Sequence, residues 1–164
     1  WIVIQQRIDG SQSFNQIWNV YKSGFGLYHK NFWLGLEKMH QLTTSADYRL
    51  RFEILISGSW FSDEYDHFKI GSEIEKYIVN VSKYNGDKCD IMNHPDPNYR
   101  HNGMNFSAPD QDNDPYPNYH CAKSHGSGNW FHCCYYQRVN GIFGSSFDYC
   151  YKVATYSRMM IKIN

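Results

Sequence analysis

The chain has 164 residues, in which 16 Lys and Arg balance 16 Asp and Glu and 41% of the residues are hydrophobic. That length suits one domain with a real core and is short for two, while the zero net charge offers no sequence-wide field for nucleic acid or an anionic membrane. The longest apolar runs, such as Ile2 to Ile4 and Ile54 to Ile56, fall far short of the roughly 20 residues that span a bilayer, so no membrane insertion is expected.

The stretch from Trp1 to Arg7 is rich in β-branched residues and is followed by Asp9-Gly10, which predicts a strand running into a turn. Phe14, Ile17, Trp18 and Tyr21 recur at helical spacing behind Ser11 and Ser13, either of which can cap a first turn. A short helix ending at Ser23-Gly24 follows. Asn31 to His40 reads as a second helix or helical turn. From Tyr48 the period becomes two, with Tyr48, Leu50, Phe52 and Ile54 alternating against Arg49, Arg51 and Glu53 as in a half-buried strand. Lys76 to Val81 reads as a further strand, Arg158 to Ile163 as the last one, and Trp18, Trp33 and Trp60 as core.

Beyond about residue 85 regularity fades and Gly, Pro, Asn, Asp and Ser take over. A loop of that length in a compact domain is functional or stapled, because packing alone does not repay its ordering entropy. Five cysteines, Cys89, Cys121, Cys133, Cys134 and Cys150, supply staples. The odd count leaves a free thiol, a bond to another chain, or a partner outside the sequence. Adjacent Cys133 and Cys134 do not offer zinc-ligand spacing, so disulfides in an oxidising, extracellular compartment are expected. Two sequons, Asn80-Val81-Ser82 and Asn105-Phe106-Ser107, are compatible with secretion. The opening at Trp1, without an initiator methionine or a leader pattern, reads as an interior point of a longer polypeptide.

Residues 110–121 read DQDNDPYPNYHC. Asp110, Asp112 and Asp114 repel one another in a segment that suits neither strand nor helix, so the cluster is either a solvated turn or a cation site. It is not an EF-hand, since no glycine and distal glutamate follow at the required offsets. Fourteen tyrosines against 10 phenylalanines suit a binding surface as well as a core. No nucleophile elbow, phosphate-cradling glycine loop or H-E-x-x-H helix is present, so no catalytic reading stands out.

In order along the chain, WIVIQQRIDGSQSFNQIWNVYKSGFG, FWLGLEKMHQLT, ADYRLRFEI, HNGMNFS, DQDND, NWFHCC and VNG closely resemble the fibrinogen C-terminal-like domain. The resemblance implies an α+β fold with a central, mostly antiparallel sheet, short helices and a loop-rich, calcium-binding C-terminal region, in one domain over residues 1–164 that lacks the family's first strand. By position it implies Ca²⁺ held by Asp112, Asp114 and the carbonyls of Tyr116 and Asn118, a Cys121–Cys134 disulfide, and a cis bond between Cys133 and Cys134. In lectin-type members that bond turns two backbone N–H groups toward a pocket for an acetyl group, matched here by His125, Cys133, Cys134 and Tyr135. Tyr135 replaces the family's usual histidine, His125 replaces a tyrosine or acid, and Phe143 and Tyr149 are the candidates for the far wall. Cys89 and Cys150 are left to pair by arithmetic alone. The implied function is a secreted, calcium-dependent, lectin-like domain that recognises acetylated glycans in innate immunity, presented as a homo-oligomer through upstream segments. The rival is a protein-binding module for a receptor or a peptide end.

Overall fold

A computed structural model describes residues 1–164, and its elements follow the chain as β1 (Ile2–Arg7), α1 (Trp18–Ser23), β2 (Phe25–Gly26), β3 (Phe32–Trp33), α2 (Leu36–Ser45), β4 (Tyr48–Ile56), β5 (Ser59–Ile70), β6 (Val79–Gly86), α3 (Cys121–His125), β7 (Asp148–Tyr149), β8 (Lys152–Val153) and β9 (Tyr156–Ile163). The alternation read from Tyr48 is realised in β4, where Tyr48, Leu50, Phe52, Ile54 and Ile56 are buried and the residues between them are half-buried. Seven strands form one sheet in the order β2-β3-β1-β9-β4-β5-β6, and every pairing is antiparallel. The last strand therefore lies at the centre, with Met159 opposite both Gln5 of β1 and Phe52 of β4. The sheet is complete only when the whole loop-rich region has been placed over it. One apolar cluster joins the sheet residues Ile4, Leu50, Phe52 and Ile54 to Phe106, Trp130, Phe147 and Tyr149 of that region.

Two disulfides staple the irregular half: Cys89–Cys150 and Cys121–Cys134, leaving Cys133 free. In the chain-entropy account, closing loops of these lengths contributes about 3–4 kcal/mol each.

Several elements differ from the reading of the sequence. α1 begins at Trp18, and neither Ser11 nor Ser13 caps it; Ser11 donates to Asp9, and the Ser13 hydroxyl accepts from the Asn15 amide. The acceptor for the Trp18 amide is Asp110 Oδ1, 2.7 Å away and 92 residues later. Asn31 to Trp33 is not helical but leads into β3, and α2 starts only at Leu36. Gly24 explains the tight approach there, since with φ at +96° a Cβ would sit 2.3 Å from the Leu34 carbonyl oxygen. The strand expected from Lys76 starts at Val79, because Lys76 and Tyr77 take left-handed backbone. β5 went unread: its exposed face carries Asp, Glu and Lys, and register shifts beside its pairs break the period. Trp60 is 58% exposed and meets Tyr156 edge-on at 5.1 Å, so it is not core, whereas Trp18 and Trp33 are buried.

Candidate functional site

The acidic loop divides its three carboxylates between two tasks. Asp110 is spent on α1. Asp112 and Asp114 converge with His120, with potential ligand atoms within 4.8 Å of one another. Asp114 is oriented at both oxygens, Oδ1 accepting from the Tyr116 amide at 2.9 Å and Oδ2 from the Cys121 amide at 3.0 Å. Burial pushes its carboxyl above the usual range; the two amides oppose this, and Asp112 adds to it. His120 Nδ1 lies 3.8 Å from Asp112 and accepts from the Lys123 amide as the cap of α3. Tyr116 and Asn118 follow in the same loop, with Asn118 in left-handed backbone at φ +61°. Carboxylates and carbonyls are the hard oxygen donors that suit Ca²⁺, and a cation beside Asp114 offsets the desolvation of its charge, so the residues present fit that ion.

The side chains of this loop face a groove. Tyr116 and Tyr119 pack with ring centroids 5.0 Å apart, and with Tyr99, His125, Cys133, Cys134, Tyr135 and Tyr151 they line an open depression of about 660 Å³. The Cys121–Cys134 disulfide ties the start of α3 to the floor of the groove, within a small buried cluster of Cys121, Ala122, Phe131 and Cys134. The Cys133-Cys134 peptide is cis. The Cys133 amide donates to the Asn98 carbonyl at 2.8 Å, and the Cys134 carbonyl accepts from the His132 amide at 2.8 Å. The amides of Cys134 and Tyr135 donate to no protein acceptor. Of the matched positions, Cys134 and Tyr135 therefore offer the backbone donors, and Cys133 does not.

Behind Tyr135, Arg138 stacks on the ring with its guanidinium carbon 4.1 Å from the centroid, pairs with Asp148, and donates to His125 Nδ1 at 3.2 Å. His125 meets Tyr135 edge-on at 5.0 Å, and burial, then Arg138, holds its pKa below the usual imidazole value. Asp148 is consumed by this pairing with Arg138.

The far wall is not the expected one. Tyr149 is fully buried, its hydroxyl donating to Asp63 at 2.7 Å, and Phe143 stacks on Phe147 at 5.1 Å, away from the groove. Tyr99 and Tyr151 take their place, with rings 6.0 Å apart and Tyr151 53% exposed. The cause is local: Cys150 and Tyr151 take left-handed φ values of +52° and +56° in the turn between β7 and β8, while Cys150 is pinned to Cys89. That turn sends Tyr149 inward and Tyr151 outward. No sequence signal marks this: strand periodicity would put Tyr149 and Tyr151, two residues apart, on one face, and only the left-handed backbone of Cys150 and Tyr151 separates them.

The fold and this site define a fibrinogen-like globe. The chain belongs to the family described as the C-terminal globular domain of fibrinogen beta and gamma chains, matching it over residues 1–156. It is 39% identical to fibroleukin of Bos taurus over 142 residues, which is 86% of this chain and 32% of that protein. With fibrinogen-like protein 1 of Homo sapiens the identity is 37% over 155 residues, 88% of this chain and 49% of that protein. The chain thus spans less than half the length of either relative. Among solved structures, the fibrinogen-like globe domain of human ANGPTL6 superposes with a TM-score of 0.89 at 30% identity, covering 99% of this chain and 77% of the other. Lamprey fibrin D-dimer, complexed with the peptide ligand Gly-His-Arg-Pro-amide, gives 0.89 at 30% identity, covering 97% and 60%.

Proposed function

We propose that the chain is an extracellular, non-enzymatic recognition domain that binds an exposed segment of a protein in the tyrosine-lined groove. The observation that carries this is the pairing of two uncommitted amide donors, at Cys134 and Tyr135, with walls made of Tyr99, Tyr116, Tyr119 and Tyr151. Such a surface suits an uncharged extended segment, one carbonyl accepting from the amides while apolar side chains lie against rigid tyrosine faces. With Asp148 neutralised by Arg138, a positively charged amino terminus finds no carboxylate partner among the groove residues. The solved lamprey relative with a bound peptide supports a peptide-type ligand over a sugar.

Asp112 and Asp114, with the carbonyls of Tyr116 and Asn118, are the residues to hold Ca²⁺; the ion fixes the loop whose next side chains, Tyr116 and Tyr119, form one groove wall. A shallow single groove binds weakly, so presentation in several copies through segments outside this chain raises avidity. An acetylated glycan presents a carbonyl of the same kind, and it is the reading to be tested against. The immobilised domain is panned against a random peptide library and probed on a glycan array, with and without a chelator. The expected result is peptide binding that Tyr151→Ala weakens about tenfold or more; binding of acetylated glycans alone would reverse the choice.

A further inference from the structure

Between Arg7, residues 10–15 and residues 140–143 lies a second, more enclosed cavity of about 330 Å³, near the lower end of small-molecule sites. It shares no lining residue with the groove. Its charged member is Arg7, the last residue of β1, whose side chain is only 1% exposed. A buried guanidinium ordinarily meets a carboxylate. Arg7 meets none: Nη1 donates to the carbonyls of Val139 at 3.3 Å and Gly141 at 2.8 Å, Nε is buried without a partner, and Nη2 makes no hydrogen bond. Asp9, two residues away, is engaged by Ser11 and Asn31. The remaining surroundings of the cation are aromatic, with the faces of Phe14 at 4.0 Å, Phe147 at 5.3 Å and Phe143 at 5.8 Å. Burial pushes the Arg7 pKa down to about 10, which still leaves it charged at neutral pH.

We infer that this cavity binds a small organic acid, its carboxylate paired with Nη2 of Arg7 and its apolar body lying against Ile142 and Phe143. An aromatic or short-chain carboxylate satisfies both halves of the lining at once, because the cation lacks a counter-charge and Ile142, 57% exposed, leaves apolar surface beside it uncovered.

Arg7 is unsuitable for the test because its removal also breaks the contacts to Val139 and Gly141. Gly10 serves instead. Its backbone is not left-handed, and a Cβ there meets only the Phe143 side chain, at 3.8 Å, so Gly10→Leu fills the cavity without touching the sheet. Ile142→Trp, at a position 57% exposed, obstructs the cavity from the solvent side should the first variant fold poorly. Amide-resolved NMR titrations of the whole chain with phenylacetate, phenylacetamide and inorganic phosphate are the experiment. Phenylacetate is expected to shift the amides of residues 10–14 and 141–143, the neutral amide to bind about tenfold more weakly or worse, and either cavity variant to abolish the effect while Tyr135→Ala leaves it intact. Equal binding of acid and amide, tighter binding of phosphate, shifts confined to the tyrosine groove, or no shift at millimolar phenylacetate would each overturn the assignment.

Discussion

His101 shows how one side chain governs the floor of the groove. Its buried ring donates through Nδ1 to the Trp130 carbonyl at 2.7 Å and accepts at Nε2 from the amides of Tyr136 at 3.1 Å and Gln137 at 3.3 Å. Protonating Nε2 sets N–H against N–H, and burial, with smaller contributions from His94 and His132, lowers the pKa from 6.5 to about 4. A histidine whose folded pKa lies below its unfolded value stabilises the fold above the unfolded pKa and loses that contribution as the pH falls. The stability to unfolding in urea is therefore expected to drop by about 3 kcal/mol between pH 6.5 and 4 on this account, and His101→Gln is expected to flatten that part of the profile. An unchanged slope in the variant assigns the acid sensitivity elsewhere. Tryptophans give a contrast of the same scale. Trp33→Ala removes a fully buried ring and is expected to cost about 3–5 kcal/mol, and Trp60→Ala, at an exposed edge, less than about 1 kcal/mol, read from unfolding midpoints. The sequence alone treats these two residues alike, because an aromatic beside a strand carries no mark of which face it takes.

Elements were legible where one face is buried and the other charged, as in β4, and illegible where tertiary contacts override local pattern. The Tyr48 to Ile54 alternation survives because it faces the core through Leu50 and Phe52. β5 carries comparable strand geometry, but only part of it lies over the core and its register shifts twice against β6. α1 was placed near its true position, yet its cap was not, since no local rule points from Trp18 to Asp110. Asp110→Ala is expected to destabilise the chain by about 1 kcal/mol and to speed hydrogen exchange in α1 selectively. Uniform exchange across α1 and α2 would mean that the carboxylate is not the cap that matters. In the loop-rich half, the acidic cluster, the Cys121–Cys134 staple and four groove positions were within reach of the residues and the family resemblance, whereas Cys89–Cys150 followed only from arithmetic, since nothing local pairs cysteines 61 residues apart. The walls made by Tyr99 and Tyr151 were not, because they depend on left-handed backbone in a short turn.

For the molecule as a whole, the central position of β9 means that the sheet is closed by the same chain that leaves the groove loops, so groove and core are coupled through residues 87–155. Calcium, on the proposal above, acts at this scale: adding it is expected to raise the unfolding temperature in proportion to the logarithm of its concentration above the dissociation constant, and Asp114→Asn to abolish the shift. An identical shift in wild type and variant would place the ion elsewhere. Fold class followed from long motifs; ligand class did not, since one pair of amides serves a peptide carbonyl and an acetyl group alike. The direct measurement is a ¹H–¹⁵N titration of the calcium-loaded chain with a peptide selected by panning, followed at the amides of Cys134 and Tyr135. Binding in the groove predicts that both shift downfield together, with losses in Tyr151→Ala; saturation by the peptide with these two amides unmoved contradicts the assignment of the groove as the recognition surface.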